Sequence, residues 1–163
     1  LEGAGRPPWY TRAVYSHAPP GYDCPFCRIA RDDFGPILTR PEDVVLRRPE
    51  VTAFISSHWW PRNPGHVLVI PNAHYENLYV LPDAAGAAIH AAARDVALAM
   101  KRAYGCAGIS TRQHNEPAGQ QEVWHYHLHV FPRYPGDALY TSERRATAPE
   151  ERAPYAERLR AAL

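Results

Sequence analysis

The alternation of apolar and polar residues along the chain predicts several short strands. Runs rich in Val, Ile, Leu and Phe are separated by Pro, Gly, Asn and Asp, which favour turns. The run 66–71 is apolar on both of its faces, which is typical of a central strand. The predicted strands cover residues 44–48, 51–56, 66–71, 107–114 and 123–131.

A helical periodicity separates the third and fourth of these strands. Apolar side chains recur there every three or four positions, which places them on one face of an α-helix. The helix is predicted to run from about Asp83, a candidate N-cap, to Tyr104, and Gly105 suits a left-handed exit. Together these elements predict an α+β fold, an antiparallel sheet of about five strands with the long helix packed on one face. The apolar stripe consists of Ile89, Ala93, Val96, Met100 and Ala103.

The length of 163 residues suits one domain with a single core. Residues 1–22 are rich in Pro, Gly and Tyr without periodicity, and they are interpreted as an N-terminal arm. Residues 23–134 hold the predicted sheet and helix, and a short helix near their start has Asp23 as a plausible N-cap. Residues 135–163 are interpreted as a C-terminal extension with a short charged helix that opens at Pro154.

The composition argues against two classes of partner. The net charge is +1 and no basic stripe stands out, so no nucleic acid is expected to bind. No apolar run approaches the roughly 20 residues that span a bilayer, so no membrane association is expected. With 45% hydrophobic and 21% charged residues the chain is typical of a globular protein, and we expect it in the cytoplasm.

The segment HYHLHVFPRY, residues 125–134, has a histidine at every second position at its start. In a strand, His125, His127 and His129 share one face, while the residues between them face the core. Three side chains in this register span more than about 12 Å, which is too far for all three to ligate one ion. Two of them could chelate a metal. Alternatively, one neutral imidazole is a good nucleophile toward phosphorus near pH 7.

Cys24 and Cys27 form a CxxC pair, and Cys106 stands alone, so the three cysteines do not make a disulfide framework. Two thiolates are half of a closed structural zinc site, which His74 and one histidine of the strand could complete. A redox-active pair is the alternative, although no βαβ pattern surrounds it.

Several segments together resemble the histidine triad (HIT) family, in its CxxC-containing, zinc-binding bacterial branch. HYHLHVF fits the family signature, in which three histidines alternate with apolar residues. The resemblance covers about residues 22–134, and the segments fall in the order of the family. They are CPFCRIA, AFIS, NPGHVLVIPNAHYENLY, NEPAGQ and HLHVFPR.

The resemblance implies a fold, an assembly and a chemistry. The fold is the histidine-triad fold, and the usual assembly is a homodimer that joins two sheets into one. The usual activity is attack on the α-phosphate of a purine nucleotide or nucleotide conjugate through a nucleotidyl-histidine intermediate. Hydrolysis or transfer follows, so phosphoramidase, dinucleoside polyphosphate and nucleotide-sugar chemistries all remain open.

The resemblance also implies roles for individual residues. His127, the middle histidine, is expected to be the nucleophile, and His129 is expected to bind a phosphate oxygen. His66 is expected near the leaving group or the phosphate. Asn115 is expected to orient the catalytic histidine or the phosphate, and Gln121 to belong to the phosphate loop. In the zinc-binding branch the fourth metal ligand is the first triad histidine. The implied ligands of a structural Zn²⁺ are Cys24, Cys27, His74 and His125.

The chain departs from the family pattern at the substrate side. Ser56 stands nearest to the position where many relatives have an aspartate for the ribose hydroxyls. Glu122 stands where relatives have Ser or Thr beside the phosphate, so we hypothesise a shifted substrate class. Trp59 and Trp60 could stack on a flat group of the substrate or pack on the core. Two alternatives therefore stay open beside the enzyme, namely a catalytically reduced nucleotide-binding module and a zinc or redox protein centred on the CxxC pair.

Overall fold

The computed structural model describes residues 15–163, so most of the predicted N-terminal arm lies outside the described residues. Five strands form one antiparallel sheet, and two short strands form a separate pair, which confirms the α+β class. The five strands are β1 (Val44–Arg47), β2 (Val51–Ile55), β4 (Val67–Pro71), β5 (Gly108–Gln113) and β6 (Leu128–Arg133). The short pair consists of β3 (His58–Trp59) and β7 (Arg145–Ala146).

The strand order in the sheet is β1-β2-β4-β6-β5. All five residues of β4 are buried, which confirms the prediction of a central strand from its apolar run. On one face of the sheet Val67, Val69 and Val130 belong to the core beneath the long helix. On the other face Phe54 and Leu68 pack with the short first helix. Because both faces of the centre are covered, β4 carries apolar residues at every position.

The long helix α2 (Asp83–Tyr104) has the predicted bounds, and Gly105 adopts the predicted left-handed conformation with φ 63°. The prediction that Asp83 caps this helix is wrong. Pro82 is the N-cap residue and no side chain caps the first turn, so Asp83 is the first helical residue. Its carboxylate still lies at the positive end of the helix dipole. Within residues 15–163, no helix is both long and apolar enough to cross a bilayer.

The first helix, α1 (Pro25–Ala30), begins one residue later than the predicted cap Asp23 would place it. The N-cap is Cys24, whose Sγ accepts a hydrogen bond from the Cys27 amide at 3.4 Å, so Asp23 as the cap is wrong. The Asp23 carboxylate instead binds the Arg28 side chain at 2.9 Å. The proline after Cys24 favours this start, because its missing amide hydrogen is not needed in the first turn. The cap brings the two cysteines to the same end of α1.

The last helix, α3 (Pro149–Ala162), does not open at Pro154 as predicted. Pro149 is the first helical residue and Pro154 lies inside the helix. The Glu151 carboxylate accepts a hydrogen bond from the amide of the N-cap residue at 3.1 Å, which stabilises this earlier start. Ala156 and Leu159 are fully buried in the same core as α2. Residues 149–162 are therefore built into the fold.

Candidate active site and metal centre

Four side chains with metal-binding atoms meet beside α1. Cys24 and Cys27 come from its first turn, His74 follows β4, and His125 precedes β6. Their ligand atoms all lie within 4.8 Å of one another. Cys27 Sγ is 3.2 Å from His74 Nδ1 and 3.5 Å from His125 Nδ1, and Cys24 Sγ is 3.4 Å from His125 Nδ1. The structure thus brings together the whole set that the sequence predicts.

The donor set fits a structural zinc ion. Tetrahedral zinc with ordinary bond lengths separates a sulfur and a nitrogen ligand by about 3.6 Å, close to the distances above. His125 Nε2 donates to the carbonyl of Pro71 at 2.9 Å, which turns its Nδ1 toward the thiols. Burial raises the pKa of the Cys24 thiol to about 12, so a thiolate here needs the compensating charge of a metal ion. Zinc bound by these residues would tie α1 to the segment that carries His127.

The histidine segment is strand only in its second half. β6 begins at Leu128. The prediction of a strand over 123–131 is therefore wrong for residues 123–127, which include His125 and His127. The amide of Tyr126 donates to the carbonyl of Tyr75 at 2.6 Å instead of joining the ladder of the sheet. The alternation of side chains nevertheless persists through the extended segment. The core beneath α2 contains Tyr126, Leu128 and Val130, as the alternation predicts.

His127 lines a cleft and presents one ring nitrogen for chemistry. Its Nδ1 is 2.7 Å from the carbonyl oxygen of His125. A carbonyl can only accept, so Nδ1 carries the proton and Nε2 keeps its lone pair. Burial lowers the pKa of His127 to about 4, which leaves the imidazole neutral near pH 7. A neutral ring with a free lone pair is the state that a nucleophilic histidine needs.

His66 and His129 form a hydrogen-bonded pair beside His127. The Nδ1 of His66 donates to the carbonyl of His58 at 3.2 Å, so its Nε2 accepts from His129 Nδ1 at 3.0 Å. This chain leaves Nε2 of His129 as the nitrogen available to a ligand. Burial lowers the pKa of His66 to about 3 and holds the pKa of His129 well below its usual value. The rings of His127 and His129 are 5.0 Å apart, so the three imidazoles act on one small region.

The cleft has a volume of about 1160 Å³ and two chemically different parts. Near His127 it is apolar, and the Phe26 ring stands edge-on 5.1 Å from the imidazole. Beyond His129 it is charged. A flat group therefore fits the first part, and an anionic group fits the second. The apolar lining includes Phe26, Ile29, Ile37 and Phe54, and the charged lining includes Arg112, Glu122 and Arg144.

Ser56 and Gln121 both line the cleft, but their side chains also hold its walls. The hydroxyl of Ser56 donates to the carbonyl of His58 at 3.1 Å. The side-chain oxygen of Gln121 accepts from the amide of Glu116 at 2.9 Å, and its nitrogen donates to the carbonyl of Glu76. Gln121 therefore fixes the loop before the histidine segment from within.

Asn115 lies beside the cleft, and its amide is engaged elsewhere. Its Oδ1 accepts from the amide of Leu78 at 2.8 Å, and its Nδ2 donates to Gln113 at 2.7 Å. The neighbouring His114 lines the cleft instead, with its ring edge-on to His129 at 5.6 Å. The sequence did not identify His114 as a cleft residue, because a shift of one residue along this loop decides whether position 114 or position 115 faces the cleft.

Two arginines of the cleft were also missed by sequence reasoning. Arg112 stands directly opposite His129 in the ladder between β5 and β6. Arg144 reaches the cleft because the β3–β7 pair brings the C-terminal segment back, and its Nη2 is 2.7 Å from a carboxylate oxygen of Glu122. This ion pair neutralises the charge of Glu122 beside the histidines. No local signal identifies it, since the two residues are 22 positions apart.

The two tryptophans divide between the two roles considered for them. Trp59 is 5% exposed and packs in the core with Tyr155 at a ring distance of 5.1 Å. Trp60 lines the cleft, with its ring edge-on to His66 and to Phe131. Their alternation follows from the extended backbone, which turns adjacent side chains to opposite faces.

The chain is similar in sequence to a known family of proteins. A sequence model of the HIT domain matches residues 38–136. The chain is similar to Protein hit of Bacillus subtilis, with 32% identity over 69% of this chain and 72% of that protein. It is also 29% identical to Adenylylsulfatase HINT3 of Arabidopsis thaliana, over 74% of this chain and 57% of the relative.

Among solved structures, the chain resembles a zinc-bound histidine triad family protein from Mycobacterium smegmatis. The TM-score is 0.71 at 28% identity, and the match covers 86% of this chain and 92% of the other. That similar protein binds zinc, and the residues in this chain provide a complete cysteine and histidine donor set for zinc.

Proposed function

Because the chain belongs to the HIT domain family, we propose that it is a nucleotide hydrolase or nucleotidyl transferase in which His127 attacks the α-phosphate of a nucleotide conjugate. One observation carries this proposal. The hydrogen bond from His127 Nδ1 to the carbonyl of His125 keeps the proton of the neutral ring on Nδ1. The free lone pair is then on Nε2, and the residue lines the cleft. The name of the Arabidopsis relative, an adenylylsulfatase, supports a conjugate of an adenine nucleotide as substrate.

The reaction has two displacements at phosphorus. In the first, the lone pair of His127 Nε2 forms a bond to the α-phosphorus, and the bond to the leaving group breaks with its electron pair on that group. In the second, water attacks the same phosphorus and the electron pair of the N–P bond returns to Nε2. An acceptor other than water gives transfer instead of hydrolysis. Splitting one displacement into two easier ones is the advantage of a covalent intermediate.

His129 and His66 act on the charge of the phosphate. In the hydrogen-bond chain to the carbonyl of His58, His129 keeps an unprotonated Nε2. A bound phosphate raises its affinity for a proton, since an anion nearby favours the charged imidazolium. The protonated His129 then donates to a phosphate oxygen, and His66 stabilises the added charge by accepting from Nδ1. The same proton can neutralise a basic leaving group.

The remaining predicted residues support the site from its edges. We assign Ser56 to the sugar of the nucleotide, since it lines the cleft near the apolar part. Gln121 and Asn115 act by positioning, because their amides bind the loop backbone and neighbouring side chains. A phosphate bound at His127 and His129 would then meet a rigid wall. Such preorganisation lowers the cost of aligning the reacting atoms.

The test is detection of the covalent intermediate. The protein is incubated with a panel of adenosine 5′-phosphate conjugates and analysed by intact-protein mass spectrometry after acid quench. We expect a nucleotidyl adduct in the unaltered protein and in the matched control His90→Ala, whose histidine is exposed on α2. His127→Ala should form none and should lose activity by at least about a thousandfold.

Persistence of the adduct in His127→Ala would rule out this nucleophile. Nucleotide binding without an adduct or turnover on any conjugate would instead favour the catalytically reduced binding module. Zinc retained through the reaction without thiol oxidation would rule out the redox alternative.

A further inference from the structure

In the part of the chain that the structure describes, the guanidinium of Arg112 is a cation without an anionic partner. Among residues 15–163 it makes no hydrogen bond and no ion pair, and its Nε is a buried donor without an acceptor. A buried donor that has lost its water and gained no partner destabilises the fold, and more strongly when it is charged. A folded protein keeps such a group when another molecule supplies the partner.

Aromatic rings hold this cation in place. Its Cζ lies 4.7 Å from the centroid of Trp60 and 4.6 Å from that of Phe131, with Tyr140 at 5.8 Å. Ring faces attract a cation and fix the plane of the guanidinium, but they accept few of its hydrogen bonds. Burial lowers the pKa of the Arg112 guanidinium, yet an arginine stays charged at any physiological pH. The group is therefore an oriented cation whose buried Nε has no acceptor among residues 15–163.

The position of Arg112 places this donor beyond the reacting phosphate. It pairs with His129 across the β5–β6 ladder, and opposite residues of an antiparallel pair share one face. Along that face the rings follow in order, with His127 5.0 Å from His129 and His129 5.6 Å from Phe131. Phe26 stands on the other side of His127. A nucleotide with its base near Phe26 and its α-phosphate at His127 extends its remaining part toward Arg112.

The second arginine of the cleft does not offer the same donors. Arg144 is bound to both oxygens of the Glu122 carboxylate. Its charge is thus compensated within the protein, whereas the charge of Arg112 has no compensating anion within residues 15–163. The two arginines therefore differ in what they can contribute to a ligand, although both line one cleft.

We propose that Arg112 binds an anionic group in the leaving portion of the substrate, which makes it the residue that selects conjugates with a negatively charged leaving group. Phosphate, sulfate and carboxylate groups all have the planar pairs of oxygens that a guanidinium recognises. Conjugates that release a neutral amine gain nothing from this contact. The inference rests on the proposed attack by His127 and adds the class of leaving group to it.

The test compares two substrates that share the adenylyl group. Adenosine 5′-phosphosulfate releases an anion, and adenosine 5′-phosphoramidate releases ammonia after protonation. For Arg112→Gln we expect kcat/KM to fall by about 30-fold on the phosphosulfate and by less than about threefold on the phosphoramidate. Arg112→Lys should recover part of the loss, and the exposed control Arg94→Gln should behave like the unaltered protein. Equal losses on both substrates, or no loss on either, would overturn the proposal.

A binding measurement separates this inference from the chemistry. Inorganic pyrophosphate is titrated into His127→Ala and into the double variant His127→Ala/Arg112→Gln, and binding is followed by calorimetry. We expect Kd to rise by at least about tenfold in the double variant. Equal affinities would overturn the role of Arg112 even if His127 is the nucleophile. If the pyrophosphate result holds while no conjugate is cleaved, the anion site stands as a binding site, whereas the proposed catalysis and the leaving-group selection fail.

Discussion

The buried ion pair between α3 and the segment before β1 gives a quantitative prediction. Arg152 and Asp43 are both 1% exposed. Arg152 Nε and Nη2 each donate to an oxygen of the Asp43 carboxylate at 2.9 Å, and Nη2 also donates to the carbonyl of Leu38 at 2.9 Å. The Nη1 donates to the carbonyl of Thr147. We predict that Arg152→Leu strongly lowers the free energy of unfolding.

The magnitude follows from what the substitution leaves behind. Of the donors in residues 15–163, Asp43 keeps only the Arg40 amide, at 2.8 Å, so a buried carboxylate is left without its cation. Removing one partner of a buried pair typically costs about 3–5 kcal/mol. The apolar leucine recovers part of this by burial, so we expect a net loss of about 3 kcal/mol, or about 6–12 °C in Tm. Since the penalty resides in Asp43, the added change Asp43→Asn should recover at least about 1 kcal/mol.

Urea denaturation followed by circular dichroism measures these differences from the midpoint at constant m-value. Arg158→Leu, at an exposed position of the same helix, is the matched control and should change the free energy of unfolding by less than about 1 kcal/mol. A loss below about 1 kcal/mol for Arg152→Leu would refute the reasoning. So would a double variant no more stable than the single one.

Four further predictions follow from the site and the assembly. Zinc analysis should find about one ion per chain, and Cys24→Ser should lower Tm by about 10 °C or more because the metal ties α1 to the histidine segment; an unchanged Tm would contradict this. The pKa of buried His66 is about 3 against about 6.5 unfolded, so the unfolded chain binds the extra proton and stability falls with falling pH below about 6.5. By pH 5 this amounts to about 2 kcal/mol, and denaturation of His66→Gln, which keeps the ring neighbours Trp60, His129 and Phe131, should lack this part of the loss. Glu122→Ser releases Arg144 for a ligand, so the substrate preference should move toward more anionic conjugates in a kinetic panel, and an unchanged preference would argue against the ion pair as a determinant. Sedimentation of the unaltered protein should give a homodimer, because β5 has a neighbour on one side only among residues 15–163, and a monomer at micromolar concentration would contradict this.

Local features of the sequence determined the elements that carry the site. The spacing of Ile89, Val96 and Met100 and the glycine at 105 define α2 within the turns of one helix, where interacting residues are three or four positions apart. The apolar run of β4 likewise identifies a strand buried on both faces. The metal-ligand set was predictable because residue type alone restricts the ligands of zinc, and the family resemblance supplied the fourth.

Errors at element ends arose where two residues compete for one role. Asp83 and Asp23 are good caps, but Pro82 directly before Asp83 and Pro25 two residues after Asp23 fix the backbone. The N-cap therefore falls one residue earlier in α2 and one residue later in α1. The strand over the histidine segment begins late, because Tyr126 finds its hydrogen-bond partner in a loop remote in sequence. The residues next to the end of an element do not encode such a contact with a distant segment.

The sequence by itself determined the α+β class, the long helix, the central strand and the residue types gathered at the candidate zinc site and at the proposed nucleophile. Only the tertiary structure decided which partners the charged side chains around them have. Glu122 is neutralised by Arg144 from the C-terminal segment, and Arg152 is buried against Asp43. Arg112 is held by aromatic rings and has no anionic partner among the described residues. Periodicity and capping act over a few residues and are encoded locally. The balance of buried charge depends instead on which distant segments the packed sheet brings within hydrogen-bond distance.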